Sequence, residues 1–184
     1  ILPQRILGIP RLGVIGVHPS LLPKHRGASP IQSAILNGDE ETGVTLYLLD
    51  DKMDHGPILA QRELEFPISN LQFPILQQKL AELSADLLVE TLPKFIKGGI
   101  TPLPQNESEA TYTKKFSTDD AFVDEKTLED ALSGGNLEAA RHIERKIRAL
   151  NPEPGILTMR AGKRTKLLEA EIQNNALVLK TIQR

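Results

Sequence analysis

The sequence contains no cysteine, so it can form neither a disulfide nor a thiolate metal site. That suits a cytoplasmic protein without requiring that address. It has no apolar run near the ~20 residues that a membrane-spanning helix needs. It has no large charge excess either, the net charge being −2 at pH 7. A global attraction to polyanions is thereby excluded, and any such attraction must be local. No internal repeat is visible. No Gly-rich loop of the phosphate-cradling kind occurs, which argues against a nucleotide-dependent reaction. His18, His25 and His55 are not at helix ligand spacing, so no metal site is expected. The opening residues, Ile1-Leu2-Pro3-Gln4-Arg5, include no initiator Met and lack the basic and apolar regions of a signal peptide.

What is present is ordinary for a globular chain: 184 residues, 40% hydrophobic and 25% charged, room for one large domain or two small ones. The most informative stretch begins at Val14. Val14, Ile15 and Val17 predict a short buried strand of a parallel sheet, covered on both faces. His18 stands at its carboxyl end, where open α/β sheets bind ligands, and imidazole titrates near neutral pH. A structural strand-end histidine is the plain alternative. Pro19 and Pro23 bracket Ser20-Leu21-Leu22 and stiffen the loop. Two exposed leucines beside free backbone groups would suit a flat heterocyclic ligand.

Further along, Ser29 and Pro30 open a helix with Ile31, Ala34 and Ile35 on one face, stopped at Gly38. Residues 42–49 and 59–66 read as paired strands around a polar loop that carries Asp54. On composition alone Asp54 reads as a turn aspartate. Residues 71–96 form a long helix candidate, with Leu76, Leu80, Leu83, Leu87, Val89 and Leu92 as its core face and a kink or end at Pro93. Residues 105–109 have the composition of a linker. Beyond Asp119 a short helix around Leu128, Ala131 and Leu132 is followed by a second over 137–150, which Pro152 ends. Three strand-like runs, 156–159, 165–170 and 176–182, then read as a small β-barrel. From Ala139 to Lys166 eight basic residues face two acidic ones. Arg141, Arg145 and Arg148 share a helix face by spacing, and Lys163, Arg164 and Lys166 follow. Such a cluster is either a solvated surface or a phosphate-backbone contact.

Four blocks carry a resemblance. They are His18-Pro19-Ser20-Leu21-Leu22-Pro23 with Arg26-Gly27 and Pro30, then Gly38-Asp39-Glu40-Glu41-Thr42-Gly43-Val44-Thr45, then Met53-Asp54-His55-Gly56-Pro57, and last Ile147-Arg148-Ala149-Leu150-Asn151-Pro152-Glu153-Pro154-Gly155. With them the chain resembles the folate-dependent formyltransferases over nearly its whole length. The resemblance implies an α/β fold: the C-terminal half of a nucleotide-fold (Rossmann-like) formyltransferase domain over 1–104, a linker over 105–118, and a small OB-like β-barrel domain over 119–184 that binds tRNA. It also implies strand-helix units ahead of residue 1, so the chain is expected to begin inside the first domain, and Arg184 to fall close after a strand.

The resemblance further implies transfer of a formyl group from 10-formyltetrahydrofolate to an amine. The basic second domain points to initiator methionyl-tRNA as the acceptor, through Arg141, Arg145, Arg148, Lys163, Arg164 and Lys166. No membrane or metal partner is expected, and a monomer is. Ser20, Leu21, Leu22 and Pro23 would hold the folate, together with the loop before Asp54. His18 would donate to the oxygen that gains charge, and Asp54 would hold the imidazole charged or relay the amine's proton. A carboxylate nearby is expected to lift the imidazole above its usual pKa of roughly 6.5. The family carries an Asn two residues before the His, where this chain has Gly16. Restoring that amide is expected to raise the rate by about 10²-fold, the usual worth of one oxyanion donor. An amino-sugar N-formyltransferase, a non-catalytic folate- or RNA-binding remnant and a formate-releasing hydrolase are the alternatives.

Overall fold

The computed structural model describes residues 2–65, 67–160 and 162–183. Ile1, Phe66 and Arg184 lie outside the described residues, and with them the expected chain start, the end of the 59–66 strand and the chain end. Two compact units divide the chain. One comprises residues 1–34, 39–70 and 74–115, the other 35–38, 71–73 and 116–184.

The first unit opens with a single helical turn, α1 (Gln4–Leu7). Then come β1 (Ile15–His18), β2 (Arg26–Gly27), α2 (Pro30–Asn37), β3 (Gly43–Leu48), β4 (Ile58–Glu63) and α3 (Phe73–Ile96). The main sheet runs β1-β3-β4 and is antiparallel throughout. This corrects the parallel strand expected at 14–17: β1 pairs antiparallel with β3, and Val17 is 46% exposed. A β-branched run marks a strand, but the direction of its partner depends on residues far along the chain. Gly16 lies opposite Tyr47, and His18 opposite Thr45. Side chains alternate along a strand, so positions 16, 18, 45 and 47 share one face.

In α2, Ile31, Ala34 and Ile35 are buried as their spacing predicts. Along α3, Leu76, Leu80 and Leu87 are buried, while Val89 and Leu92 face solvent. The helix continues through Pro93 to Ile96. The proline sits in its last turn, where few backbone bonds remain to be lost. No helix among the described residues is long and apolar enough to cross a membrane.

Residues 105–109 have the composition of a linker, yet the stretch from 105 to 113 is fastened within the first unit. Gln105 donates through Nε2 to the Asp54 and Gly56 carbonyls at 2.9 and 2.7 Å. Arg26, wholly buried, donates to Gln105 Oε1 and to both carboxylate oxygens of Glu107. The short strand β5 (Tyr112–Thr113) pairs in parallel with β2. A buried guanidinium needs such a set of acceptors, because an unpaired charge out of water is costly.

In the second unit, Asp124 caps α4 (Glu125–Leu132) by accepting from the Thr127 N–H. Asn136 caps α5 (Leu137–Leu150) in the same way, through the Ala139 N–H. Ala140, Ile143, Ile147 and Leu150 form the buried stripe of α5. The sheet runs β6 (Phe122–Val123), β7 (Ile156–Arg160), β8 (Lys163–Gln173) and β9 (Ala176–Gln183) in that order. Strand β6, only two residues long, is too short for periodicity to reveal. Asn174 and Asn175, at φ 49° and 66°, make the tight turn between β8 and β9. Register shifts within that pair at Leu167, Glu169 and Ala170 bend the sheet.

Candidate active site

Strand β1 ends with His18 beneath the surface, its ring 7% exposed. Nε2 lies 2.9 Å from the His25 carbonyl. A carbonyl oxygen can only accept, so this nitrogen carries the proton. In the neutral ring the lone pair therefore sits on Nδ1, which faces Asp54 Oδ2 at 3.7 Å. Burial pushes the imidazole below its ordinary value and outweighs the His25 carbonyl and the Asp54 charge, both of which raise it. The nearby His25 ring lowers it further. The upward shift expected from the neighbouring carboxylate is thus corrected: His18 is held neutral, and its contact with Asp54 becomes an ion pair only on protonation.

Asp54 is fixed by more than its loop. Its backbone has φ 49°, in the left-handed region. Its Oδ1 accepts from the Tyr47 hydroxyl at 2.6 Å, and its Oδ2 accepts from the Gly27 N–H at 2.7 Å. Gly27, at φ 115°, could not be replaced cheaply: a Cβ there would press on the Thr113 carbonyl. The Tyr47 ring stands edge-on to His18, with centroids 6.5 Å apart. The loop that delivers Asp54 is tied at its root by His55, whose Nδ1 pairs with Asp50. One carboxylate and one neutral imidazole, both oriented and both close to the surface, can pass a proton between substrate atoms.

The stretch after His18 is organised by Thr45. Its hydroxyl donates to the Ser20 carbonyl at 2.7 Å and accepts from the Leu22 N–H and from Gln61 Nε2. Ser20 Oγ donates to the Lys24 carbonyl. Ser20 and Leu22 are buried, which corrects the expectation of two exposed leucines beside free backbone groups. Leu21 and Pro23 remain half-buried. Thr45, Tyr47, Gln105 and Arg26 were not legible as site residues. Register would have placed Thr45 and Tyr47 beside His18, had the pairing been known.

Two family models match the chain, formyl transferase over residues 1–92 and the formyl transferase C-terminal domain over residues 137–179. The chain belongs to the formyl transferase family. A methionyl-tRNA formyltransferase of Roseiflexus sp. (strain RS-1) is 46% identical over 172 residues, which make up 94% of this chain and 49% of that protein. The chain spans about half the length of the curated relatives it matches. The solved methionyl-tRNA formyltransferase from Clostridium thermocellum shares the fold, with a TM-score of 0.68 over 100% of this chain and 72% of that one, at 20% identity. The formyltransferase PseJ from Anoxybacillus kamchatkensis is 29% identical with a TM-score of 0.55, over 62% of this chain and 59% of that one. Its crystal structure holds tetrahydrofolate and UDP-4,6-dideoxy-4-formamido-L-AltNAc.

In the second unit the basic residues do not stand alike. Lys163, Arg164 and Lys166 are exposed on β8, and Arg160 is exposed opposite Lys163. Arg164 and Lys166 line a cavity of about 400 Å³ with Leu157 and Gln183. On α5, Arg141 is exposed, and half-buried Arg145 donates to the Asn37 carbonyl. Arg148 departs from the shared face expected for it. It is buried, bonded through two nitrogens to the Glu144 carboxylate and through a third to the Leu71 carbonyl. Spacing puts Arg148 in line with Arg141 and Arg145, but the last turn of α5 is covered all round: Ile147, Arg148, Ala149 and Leu150 are all buried.

Proposed function

We propose that this chain forms the reacting part of a methionyl-tRNA formyltransferase, which moves a formyl group from 10-formyltetrahydrofolate to the amino group of initiator methionyl-tRNA. The observation that carries the reading is the His18–Asp54 pair, with Asp54 anchored by the Tyr47 hydroxyl and the Gly27 N–H inside the matched segment. In this reading residues 1–104 belong to the catalytic domain, 105–118 connect, and 119–184 bind tRNA. The protein acts as a cytoplasmic monomer at the start of protein synthesis.

His18 and Asp54 manage the proton. Neutral His18 offers its Nδ1 lone pair to the attacking amine and takes the proton as the new N–C bond forms. The Asp54 carboxylate steadies the imidazolium, and His18 then returns the proton to the folate nitrogen as the old C–N bond breaks. Leu21 and Pro23, with the loop before Asp54, contact the folate, while Ser20 and Leu22 shape its floor from beneath. Arg141, Arg145, Lys163, Arg164 and Lys166 engage phosphates of the tRNA. Arg148 supports that surface from inside.

The test is formyl transfer from 10-formyltetrahydrofolate to Met-tRNA, to a nucleotide-linked amino sugar, or to water, by the protein that contains this chain. Formyl-Met-tRNA is the expected product, and Asp54→Asn should lower kcat by about 10²–10⁴-fold. Transfer to the sugar alone would favour the amino-sugar reading that the ligands of PseJ motivate. Formate release alone, or folate binding without turnover, would overturn the proposal.

A further inference from the structure

Position 16 is closed to side chains. A Cβ built on Gly16 would lie 2.6 Å from Tyr47 Cζ and 2.9 Å from Leu49 Cδ2, and closer still to Tyr47 Cε1. The cause is register: Gly16 is the cross-strand partner of Tyr47, and directly opposed side chains are in contact. Here one partner has no side chain, and the phenol ring lies over it. The same ring reaches Asp54 Oδ1 with its hydroxyl, at 2.6 Å, and meets His18 edge-on. Burial and then the Asp54 carboxylate push the phenol well above its usual range, so its proton stays on at any working pH.

We propose that Gly16 and Tyr47 work as a pair: the ring of Tyr47 fills the space that a longer side chain at position 16 would need, and its hydroxyl is the positioning group that holds Asp54 for His18. This rests on the assignment of His18 and Asp54 to formyl transfer. Tyr47 is a positioning residue and not an oxyanion donor. A phenol has one proton, and here Asp54 takes it. On this reading Gly16→Asn does not give the faster enzyme expected from the sequence. The amide would collide with Tyr47 before it reached any substrate.

Two measurements test the pair without substrate. The first follows the His18 imidazole by NMR through a pH titration, in the parent and in Tyr47→Phe, which keeps the ring and removes only the hydroxyl. The charged groups that face His18 are Asp54, from the loop after β3, and the His25 imidazole. Asp50 lies near the Tyr47 hydroxyl. Without the hydroxyl, Asp54 loses the contact that holds it for His18, its upward pull on the imidazole weakens, and the His18 midpoint should fall. An unchanged or higher midpoint would overturn the positioning role. The second compares thermal melts of Gly16→Asn in the parent and in a Tyr47→Ala background. Overpacking should cost the single variant roughly 4–10 °C, and most of that loss should vanish when the ring is absent. Equal losses in both backgrounds would mean that Tyr47 does not close position 16. Because neither readout needs turnover, a chain that shifts and melts as expected yet transfers no formyl group counts against the proposed function and leaves the pair standing.

Discussion

At the scale of single residues, His18 shows how burial can outweigh a neighbouring charge. Its pKa lies below the ordinary value because desolvation exceeds the pull of Asp54. The consequence for stability has a definite sign. Above about pH 6.5 the imidazole is neutral both folded and unfolded, and its contribution is intact. As the pH falls through that value the unfolded chain binds a proton first, so stability declines until the folded-state pKa is reached. His18→Gln keeps an N–H for the His25 carbonyl but cannot titrate. Urea unfolding at pH 7.5 and at pH 5.5 should show a smaller acid loss in His18→Gln than in the parent. His142, also shifted down by burial, contributes equally to both and cancels in the comparison. An identical acid loss in the two proteins would mean that His18 is not held neutral.

At the scale of elements, two segments differ from what their composition suggests. Residues 105–109 look like a linker, but Gln105 closes the loop carrying Asp54 and accepts from Arg26. Gln105→Ala should therefore lower stability by about 1–3 kcal/mol, the usual cost of leaving partly buried polar groups unpaired. It should also reduce formyl transfer, because Asp54 loses its backbone anchor. A variant with parent-like melting and parent-like kcat would show the strap to be idle. On the basic surface, Lys163→Glu with Arg164→Glu should weaken tRNA binding and reduce the salt slope by about two, one for each phosphate no longer neutralised. Arg148→Met should act differently. It leaves Glu144 and the Leu71 carbonyl without their donor and should cost about 2–3 kcal/mol of stability, with the salt slope unchanged. Filter binding over a range of salt, beside chemical denaturation, separates the two effects.

For the whole molecule, the last crossing of the chain from one unit to the other falls between Lys115 and Phe116. Trypsin under native conditions should cut first at exposed Lys114 or Lys115, and a glutamate-specific protease should be slow at Glu107, which is engaged by Arg26. First cleavage at Glu107, read by intact mass, would show the strap to be loose. Much of this architecture was legible in the sequence: Ser29 and Pro30 opening α2, Asn136 capping α5, and the long runs that became β8 and β9. Local patterns suffice there, because caps, turns and periodicity are properties of neighbouring residues. The motif around His18 and Asp54 likewise named the family. Only the tertiary structure decided what surrounds them. Strand direction at β1, the burial of Arg148, the anchoring of Asp54 and the ring over Gly16 all depend on register and on the packing of residues far apart in the chain. No periodicity along one segment encodes which residue will stand opposite it. That is why Gly16 reads as a missing amide in the sequence, and in the fold as the space that Tyr47 fills.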